Sequence, residues 1–200
     1  MDAKTQKSEL TRAAIIGTAL DLALEKGLQA LNLQTVAERL GLSKSGVFSR
    51  IGSREALQKA VIEEYGRRFL AEVFVPAMQA PKGLPRLDQI ARRMINRTRD
   101  VEAFTGCLYT SGAFELDDQE GELRELLLQE VTRWRAALRR TVTQSIEAGH
   151  LKPDTDPALL VSEMSGLIMG LLHDVRFLRD SHAADHALAG WQRLIGNYKV

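Results

Sequence analysis

Cysteine is nearly absent from this chain, and long apolar runs are missing altogether. A single cysteine, Cys107, excludes an internal disulfide and is typical of a protein in a reducing compartment. The longest unbroken apolar run, Gly166 to Leu172, is much shorter than the ~20 residues that a membrane span needs. The N-terminal segment MDAKTQKSEL lacks the apolar core of a signal peptide. We therefore expect a soluble, cytoplasmic protein with no membrane partner.

Motifs that carry catalysis or bind metal are also missing. The chain has no glycine-rich phosphate loop, no cluster of metal ligands and no nucleophile beside an evident base. His182 and His186 have the i, i+4 spacing of metal ligands, but two ligands without a third favour a chance spacing. Cys107 has no basic neighbour in sequence, which favours a buried, inert thiol over a redox sensor. We expect no enzyme, no metal site and no cofactor.

The composition is that of an ordinary soluble protein with a mild asymmetry of charge. Of 200 residues, 44% are apolar and 26% are charged, and the net charge is +1. Residues 1–68 hold 11 Lys/Arg and 8 Asp/Glu, a balance of +3, whereas residues 69–200 hold 16 and 18, a balance of −2. The positive N-terminal third favours a nucleic-acid partner without establishing one.

Apolar residues recur at helical spacing throughout, and no segment alternates with period two long enough to form a strand. The pattern predicts an all-α fold of about nine helices. Asp117 or Asp118 is expected to cap a long helix that ends near Ala148. Asp156 and Pro157 predict the start of a helix that is apolar on nearly all sides, so we expect it to be covered on more than one face.

Residues 32–57, NLQTVAERLGLSKSGVFSRIGSREAL, contain the most informative pattern in the chain. Asn32 is placed to cap the first short helix, whose apolar side is formed by Val36, Ala37 and Leu40. Gly41 allows the chain to reverse in a left-handed conformation, and Ser43 is placed to cap the next helix. That helix runs from Lys44 to about Arg50 and presents small, polar and basic side chains. Such a helix is suited to the major groove of DNA, which predicts a helix-turn-helix reader.

The side chains on and around this helix form the candidate DNA-binding site. The candidates are Thr11, Gln34, Thr35, Lys44, Ser45, Gly46, Phe48, Ser49, Arg50 and Arg54. Lys44, Ser45, Ser49 and Arg50 of the reader helix are expected to meet base edges. Gly46 is expected to allow a close approach to the backbone of DNA or of a neighbouring helix. Thr11, Gln34, Thr35 and Arg54 lie at flanking helix termini and are expected to hold phosphates.

The N-terminal region resembles the TetR family of bacterial transcription regulators. TRAAIIGTALDLALEKG at residues 11–27 is similar to the family's first helix, and VAERLGLSKSGVFSRIGSREAL at 36–57 to its next three. The resemblance implies a DNA-binding domain at 1–52 and an effector-binding and dimerisation domain at 53–200. Family members usually carry a tyrosine in place of Phe48, whose hydroxyl hydrogen-bonds a DNA phosphate. They also usually carry an aromatic residue in place of Ile51 and a lysine in place of Arg54.

The resemblance further implies a homodimer that binds a near-palindromic operator in double-stranded DNA. It also implies a repressor that leaves the operator when a small-molecule effector of unknown identity binds. GCLYTSGAFELDD and EAGHLKPDTDP extend the similarity loosely into the C-terminal region. The candidate effector-binding residues are Met94, Phe104, Cys107, Leu108, Phe114, Trp134, Met164, Ile168 and His173. The expected dimer interface consists of Leu160, Met164, Leu167, Leu171, Val175, Leu188, Trp191, Leu194 and Ile195.

Other readings of the same residues stay open. Each candidate effector-binding side chain has ordinary core packing as its alternative. The helical region could instead respond to a protein partner, or the chain could be a ligand-binding protein or an enzyme without DNA binding.

Overall fold

The computed structural model describes the backbone of residues 3–200 and the side chains of residue 6 and residues 8–200. Residues 1 and 2 of the predicted first domain lie outside this range. Within it the chain forms nine helices and no β-strand, which confirms the all-α prediction; Leu151 and Lys199 form an isolated β-bridge. The helices are α1 (Ala3–Lys26), α2 (Leu33–Leu40), α3 (Lys44–Ile51), α4 (from Arg54), α5 (from Leu84), α6 (Leu108–Leu116), α7 (Glu122–Glu147), α8 (from Pro157) and α9 (Ala183–Tyr198).

Three of these helices change to π-helical geometry toward their C-terminal ends. Helix α4 is α-helical over Arg54–Phe69, π-helical over Leu70–Phe74, and ends with the turn Val75–Ala77. Helix α5 comprises Leu84–Arg97, Thr98–Glu102 and Ala103–Thr105 in the same order, and α8 comprises Pro157–His173 and Asp174–Leu178. A π-turn widens the helix locally and is frequent near functional sites.

The start of α7 differs from the prediction. Asp117 and Asp118 do not cap it, because the helix begins at Glu122, after a turn. The Asp118 N–H donates to Oδ1 of Asp117 at 2.9 Å, and Gly121 takes a φ of 127°, which a residue with a Cβ rarely adopts. The predicted caps are therefore wrong because a left-handed glycine moves the helix start beyond them.

The chain divides into two compact units that do not coincide with the predicted division after residue 52. The first unit contains residues 1–68 and 108–129, and the second contains residues 69–107 and 130–200. The core of the first unit includes the fully buried side chains of Ile15, Leu20, Leu28, Leu57, Ile62 and Tyr65. That of the second includes Leu87, Ile90, Ile95 and Trp191. The backbone thus crosses between the units three times.

Helix α8 is more apolar than its unbroken runs indicated. Pro157–Leu178 has 22 residues, and its most apolar window of 18 residues has a mean hydropathy of 1.4, which by length and composition would be enough to cross a membrane. Scattered polar residues such as Glu163 interrupt the apolar run but not the helix. A buried core helix has the same properties, yet only 28% of the most apolar window is buried in its own chain.

Candidate nucleic-acid interface

Both helices of the predicted reader motif are capped as the sequence indicates. Oδ1 of Asn32 accepts the backbone N–H of Thr35 at 2.8 Å, which satisfies a donor at the start of α2. Oγ of Ser43 accepts the N–H of Gly46 at 3.0 Å and does the same for α3. Between them Gly41 ends α2 with a φ of 64°, in the left-handed region. Hydrogen bonds between residues close in sequence therefore fix where α2 begins and ends and where α3 begins.

Helix α3 presents one side to the core of the first unit and the other to solvent. Val47 is completely buried, and it shares that core with Val36 and Ala37 of α2. The outward residues of the helix are all exposed: Lys44, Ser45, Phe48, Ser49 and Arg50. The predicted base-reading side chains are thus available to a ligand as large as a DNA duplex.

Internal hydrogen bonds hold two of these side chains along the helix. Oγ of Ser49 donates to the carbonyl oxygen of Gly46 at 3.0 Å, and Nη1 of Arg50 donates to the same oxygen at 2.8 Å. Arg50 keeps its remaining guanidinium donors free of described partners, and Lys44 forms no ion pair with any residue that the structure describes. The exposed face of α3 therefore carries two uncompensated positive charges.

Gly46 has a structural role in addition to the predicted close approach. A Cβ built on Gly46 would lie 3.0 Å from Oγ of Ser43, the atom that caps the helix. A residue with a side chain at this position would displace the Ser43 hydroxyl, so glycine preserves the hydrogen bond that caps α3.

The predicted phosphate-binding residues already have partners within the first unit. Gln34 donates to Glu38 Oε1 at 2.7 Å, and the Thr35 hydroxyl donates to Asn32 at 3.0 Å. Arg54 donates to the carbonyl oxygen of Gln29, and Thr11 is half-buried on α1. All four lie in the unit that contains α3. The hydrogen bonds of Gln34, Thr35 and Arg54 hold these three side chains in place and leave the charge of Arg54 without an acidic partner among them.

One arginine near the reader is neutralised instead. Arg39 of α2 forms a two-point ion pair with Glu25, with both N–O distances at 2.8 Å. The hydrogen bond from Arg39 lowers the pKa of Glu25. Arg39 therefore contributes little net charge to the surface around α3.

Sequence reasoning missed Glu115, a residue that organises the turn after α1. Its Oε1 accepts the N–H of Leu28 at 3.2 Å and its Oε2 accepts the N–H of Gln29 at 3.0 Å. The side-chain amide of Gln29 returns a hydrogen bond to the carbonyl oxygen of Glu115 at 2.7 Å. These partners are 86 and 87 residues apart in sequence, so no local pattern could have indicated them.

The candidate effector-binding residues are divided between the two compact units and differ in burial. Leu108 and Phe114 belong to the first unit and the other seven to the second. In the second unit Met94, Cys107 and Met164 are buried, Trp134 and Ile168 are half-buried, and Phe104 and His173 are exposed. Phe114 is also exposed. The pattern fits ordinary core packing for some candidates and a surface position for others.

The best-organised part of the second unit is an aromatic and ionic cluster around Phe69. The Phe69 and Trp134 rings meet edge to face at 4.7 Å, and the guanidinium of Arg97 lies 5.6 Å from the Phe69 ring centre. Arg97 pairs with the buried carboxylate of Glu102 at 3.1 Å, which also accepts the Thr98 hydroxyl at 2.9 Å. Removal of one partner from a buried ion pair of this kind destabilises the fold, because it leaves the other charge buried and unpaired.

The surface of the second unit carries open depressions. One, of about 490 Å³, is lined by Arg99, Ala103, Phe104, Val175, Arg176, Arg179, Asp180, Ser181 and Ala184. Another, of about 570 Å³, is lined by Leu84, Pro85, Asp88, Arg92, His150, Gln192, Ile195 and Lys199. Of the predicted effector-binding residues, Phe104 lines the first.

Five of the nine residues expected at a dimer interface are instead packed inside the second unit. These are Leu160, Met164, Leu171, Trp191 and Ile195, each with at most 3% of its surface exposed. Trp191 also donates to Asp88 Oδ1 at 2.8 Å. The opposite side of α8 is open: Leu159 is 50% and Met169 45% exposed, and a Cβ built at Gly166 or Gly170 would meet no atom within 4 Å.

Metal ligands do not assemble in the part of the chain that the structure describes. No group of three or more His, Cys, Asp or Glu side chains there could hold a metal ion. The rings of His182 and His186 are 6.2 Å apart, and the nearest carboxylate contact of His186 is Asp180 at 3.7 Å.

Comparison with known sequences identifies both regions of the chain. Residues 15–61 match the family described as bacterial regulatory proteins, tetR family. Residues 83–191, more than half of the chain, match the family described as tetracyclin repressor-like, C-terminal domain. No curated protein matches the sequence.

Solved structures with the same fold cover almost the entire chain. A TetR-family regulator from Cytophaga hutchinsonii is 22% identical with a TM-score of 0.82, and 97% of each chain is covered. A TetR regulator from Chloroflexus aurantiacus J-10-FL is 21% identical with a TM-score of 0.86, covering 97% of this chain and 98% of that one. AibR, crystallised with isovaleryl coenzyme A and operator DNA, is 20% identical with a TM-score of 0.69, covering 89% and 96%. With its capped helix-turn-helix and its all-helical C-terminal region, the chain belongs to the TetR family of DNA-binding transcription regulators.

Proposed function

We propose that this regulator is a repressor that binds a near-palindromic operator as a homodimer and leaves it when a small-molecule effector binds. The observation that carries the proposal is the exposed face of α3, a helix capped at both ends, where Lys44 and Arg50 form no ion pair with any residue that the structure describes. A positive helix of this size fits a major groove, and its charges would release counterions from the DNA.

Within this proposal the residues divide between base and phosphate contacts. Lys44 and Arg50 carry donors that suit guanine O6 and N7, and the hydroxyls of Ser45 and Ser49 can pair with either base edge. Thr11, Gln34, Thr35 and Arg54 hold phosphates and set the orientation of the reader. Contacts within the first unit fix the positions of Gln34, Thr35 and Arg54 for this role.

The dimer forms through the open side of α8 together with α9. The occupant is a second copy of this chain, since family members dimerise and the uncovered surface of α8 is apolar. Leu159, Met169 and Phe177 supply apolar area there, and Gly166 and Gly170 leave room for a helix to approach closely. The exposed residues of α9 that face outward include Ala189, Gln192 and Gly196. This assignment replaces the buried residues expected from sequence.

The effector binds in the second unit and acts on the first through the backbone. AibR was crystallised with both isovaleryl coenzyme A and operator DNA, which supports a small-molecule ligand in a protein of this fold. Here the chain passes between the units after residues 68, 107 and 129. A conformational change in the second unit is therefore transmitted to the first through three backbone connections. Release follows only if the effector prefers the conformation that does not bind DNA.

The test of DNA binding is an anisotropy titration of the protein with DNA that flanks its own gene. We expect saturable binding that weakens steeply with salt and is lost when Lys44→Ala and Arg50→Ala are combined. Lys82→Ala combined with Arg140→Ala is the matched control, because both residues are exposed, lie in the second unit and remove the same charge. Equal affinity of the reader double variant and the wild type would contradict the proposal.

The test of effector binding is native mass spectrometry of the protein as purified. A small molecule bound to the dimer, lost on denaturation and lowering the affinity for operator DNA when added back, is the expected result. If ligand-free dimer is recovered and operator binding responds only to a protein fraction, the effector part of the proposal is refuted while DNA binding stands.

A further inference from the structure

Phe48 is an apolar side chain on a helix surface that is otherwise polar. In α3, whose eight residues are all described, Val47 is buried and Ile51 half-buried, whereas Phe48 is 58% exposed. The ring has no aromatic or cationic partner among the described residues. Single exposed apolar side chains are common on protein surfaces, so exposure by itself carries no meaning. The position of Phe48 on the reader helix, in contrast, indicates a role.

Helical spacing places Phe48 beside the polar residues of the reader. It lies four residues after Lys44 and three after Ser45, so the three side chains share one side of the helix. Ser45 is held near the helix start by a contact of 3.1 Å between its Oγ and that of Ser43. When α3 enters a major groove, the phenyl ring enters with these residues and loses its water.

The chemistry of the ring limits what it can meet in DNA. A phenyl group has no donor for a phosphate and no partner for the oxygen and nitrogen atoms of base edges. The major groove offers one apolar group, the C5-methyl of thymine, which distinguishes thymine from every other base. Resting on the proposed function, we propose that Phe48 packs on a thymine methyl in each half-site and makes thymine a determinant of operator choice.

This contact differs in kind from a phosphate contact. Burial of a methyl group against a ring releases no counterions, so its contribution is independent of salt, whereas a hydroxyl–phosphate bond carries no base preference. Loss of one methyl contact corresponds to about a fourfold change in affinity. Without a hydroxyl group, the ring of Phe48 can make the apolar contact but cannot donate to a phosphate.

The experiment uses duplex DNA enriched from a random-sequence library by the wild-type dimer. Each thymine in the enriched site is replaced in turn by deoxyuridine, which removes only the methyl group. We expect one thymine per half-site at which the replacement weakens binding about fourfold, by the same factor at low and high salt. Phe48→Ala is expected to bind the thymine and deoxyuridine duplexes equally.

Two further variants separate this contact from general effects. Leu128→Ala shortens another exposed apolar side chain of the first unit and is expected to keep the fourfold preference. Phe48→Leu retains an apolar group, is expected to keep a reduced preference, and shows that the site tolerates substitution. Circular dichroism melting of each variant verifies folding, since Phe48 lies outside the core.

The outcomes distinguish this inference from the proposed function. Specific binding with no sensitive thymine overturns the Phe48 contact alone, and so does an undiminished deoxyuridine effect in Phe48→Ala. Failure of the wild type to enrich any sequence overturns the proposed function and this contact together.

Discussion

The carboxylate of Glu115 in α6 accepts the backbone N–H groups of both Leu28 and Gln29 at the turn that follows α1. A Cβ built on Gly27 would lie only 3.0 Å from the same carboxylate, so glycine is required beside it. Glu115 is separated in sequence from the first 68 residues by a segment of the second unit. The turn that leads into the reader motif is therefore held by a residue from the middle of the chain.

Removal of this carboxylate should destabilise the first unit. Glu115→Ala leaves two N–H groups without acceptors, one of them on buried Leu28, and we expect a loss of about 1–3 kcal/mol in the free energy of unfolding. Urea denaturation followed by circular dichroism measures it. Glu115→Gln keeps one acceptor oxygen and should lose less. Glu120→Ala removes an exposed acid from the neighbouring segment and should be neutral; equal losses in all three would refute this role.

Gly41 should tolerate asparagine better than alanine. Its φ of 64° and ψ of 28° are left-handed, and a Cβ there would meet no atom within 4 Å, so substitution costs backbone strain alone. We expect Gly41→Ala to lower stability by roughly 1–2 kcal/mol and Gly41→Asn by less. Thermal melting compares the two. An alanine variant as stable as the wild type would mean that the turn can relax into another conformation.

Stability at acid pH should depend on Glu64. Hydrogen bonding from Arg67, opposed by partial burial and reinforced by Arg68, lowers the pKa of Glu64 from 4.5 to about 2. Because the folded pKa lies below the unfolded one, the stabilisation is complete above about pH 4.5 and is lost as the pH falls toward 2. In urea titrations, Glu64→Gln should reduce the change in the free energy of unfolding with pH over this window. Glu63→Gln, at an exposed neighbouring residue, should leave that change as it is in the wild type. Identical acid limbs for the Glu64 variant and the wild type would contradict this.

A charge on the open side of α8 should separate the dimer. Met169→Glu places a carboxylate in the proposed interface, and we expect at least about a tenfold weaker dimer by sedimentation equilibrium. Leu128→Glu is the matched control, since Leu128 is 46% exposed and Met169 45% exposed, and Leu128 lies in the first unit. A wild type that is monomeric at micromolar concentration, or a Met169 variant that dimerises normally, would refute the interface.

Local signals in the sequence were sufficient for the reader motif. Asn32, Gly41 and Ser43 act through bonds to residues at most five positions away, so their residue types and spacing predict the caps and the turn. The cap predicted at Asp117 was wrong, although it was based on the same kind of local pattern. Several acidic residues lie near a glycine there, and only the backbone angle at Gly121 decides where the helix starts.

Features that depend on tertiary packing could not be predicted from the sequence. Helix α8 is apolar on both sides, so periodicity could not tell that Leu160 faces the core while Leu159 faces solvent. The same ambiguity applies to the effector-binding residues, since buried Met164 and exposed Phe104 are equally apolar in sequence. The contact of Glu115 with Leu28 joins residues too distant for any local pattern.

The most direct test of the reader helix is protection of operator DNA from dimethyl sulfate, which methylates guanine N7 in the major groove and adenine N3 in the minor groove. With α3 in the groove, we expect protected guanines in two half-sites separated by one helical turn or a multiple of it. The protection should disappear with the combined Lys44→Ala and Arg50→Ala variant. Protection confined to adenines, or unchanged guanine protection in that variant, would contradict the assignment of Lys44–Ile51 as the DNA-reading helix.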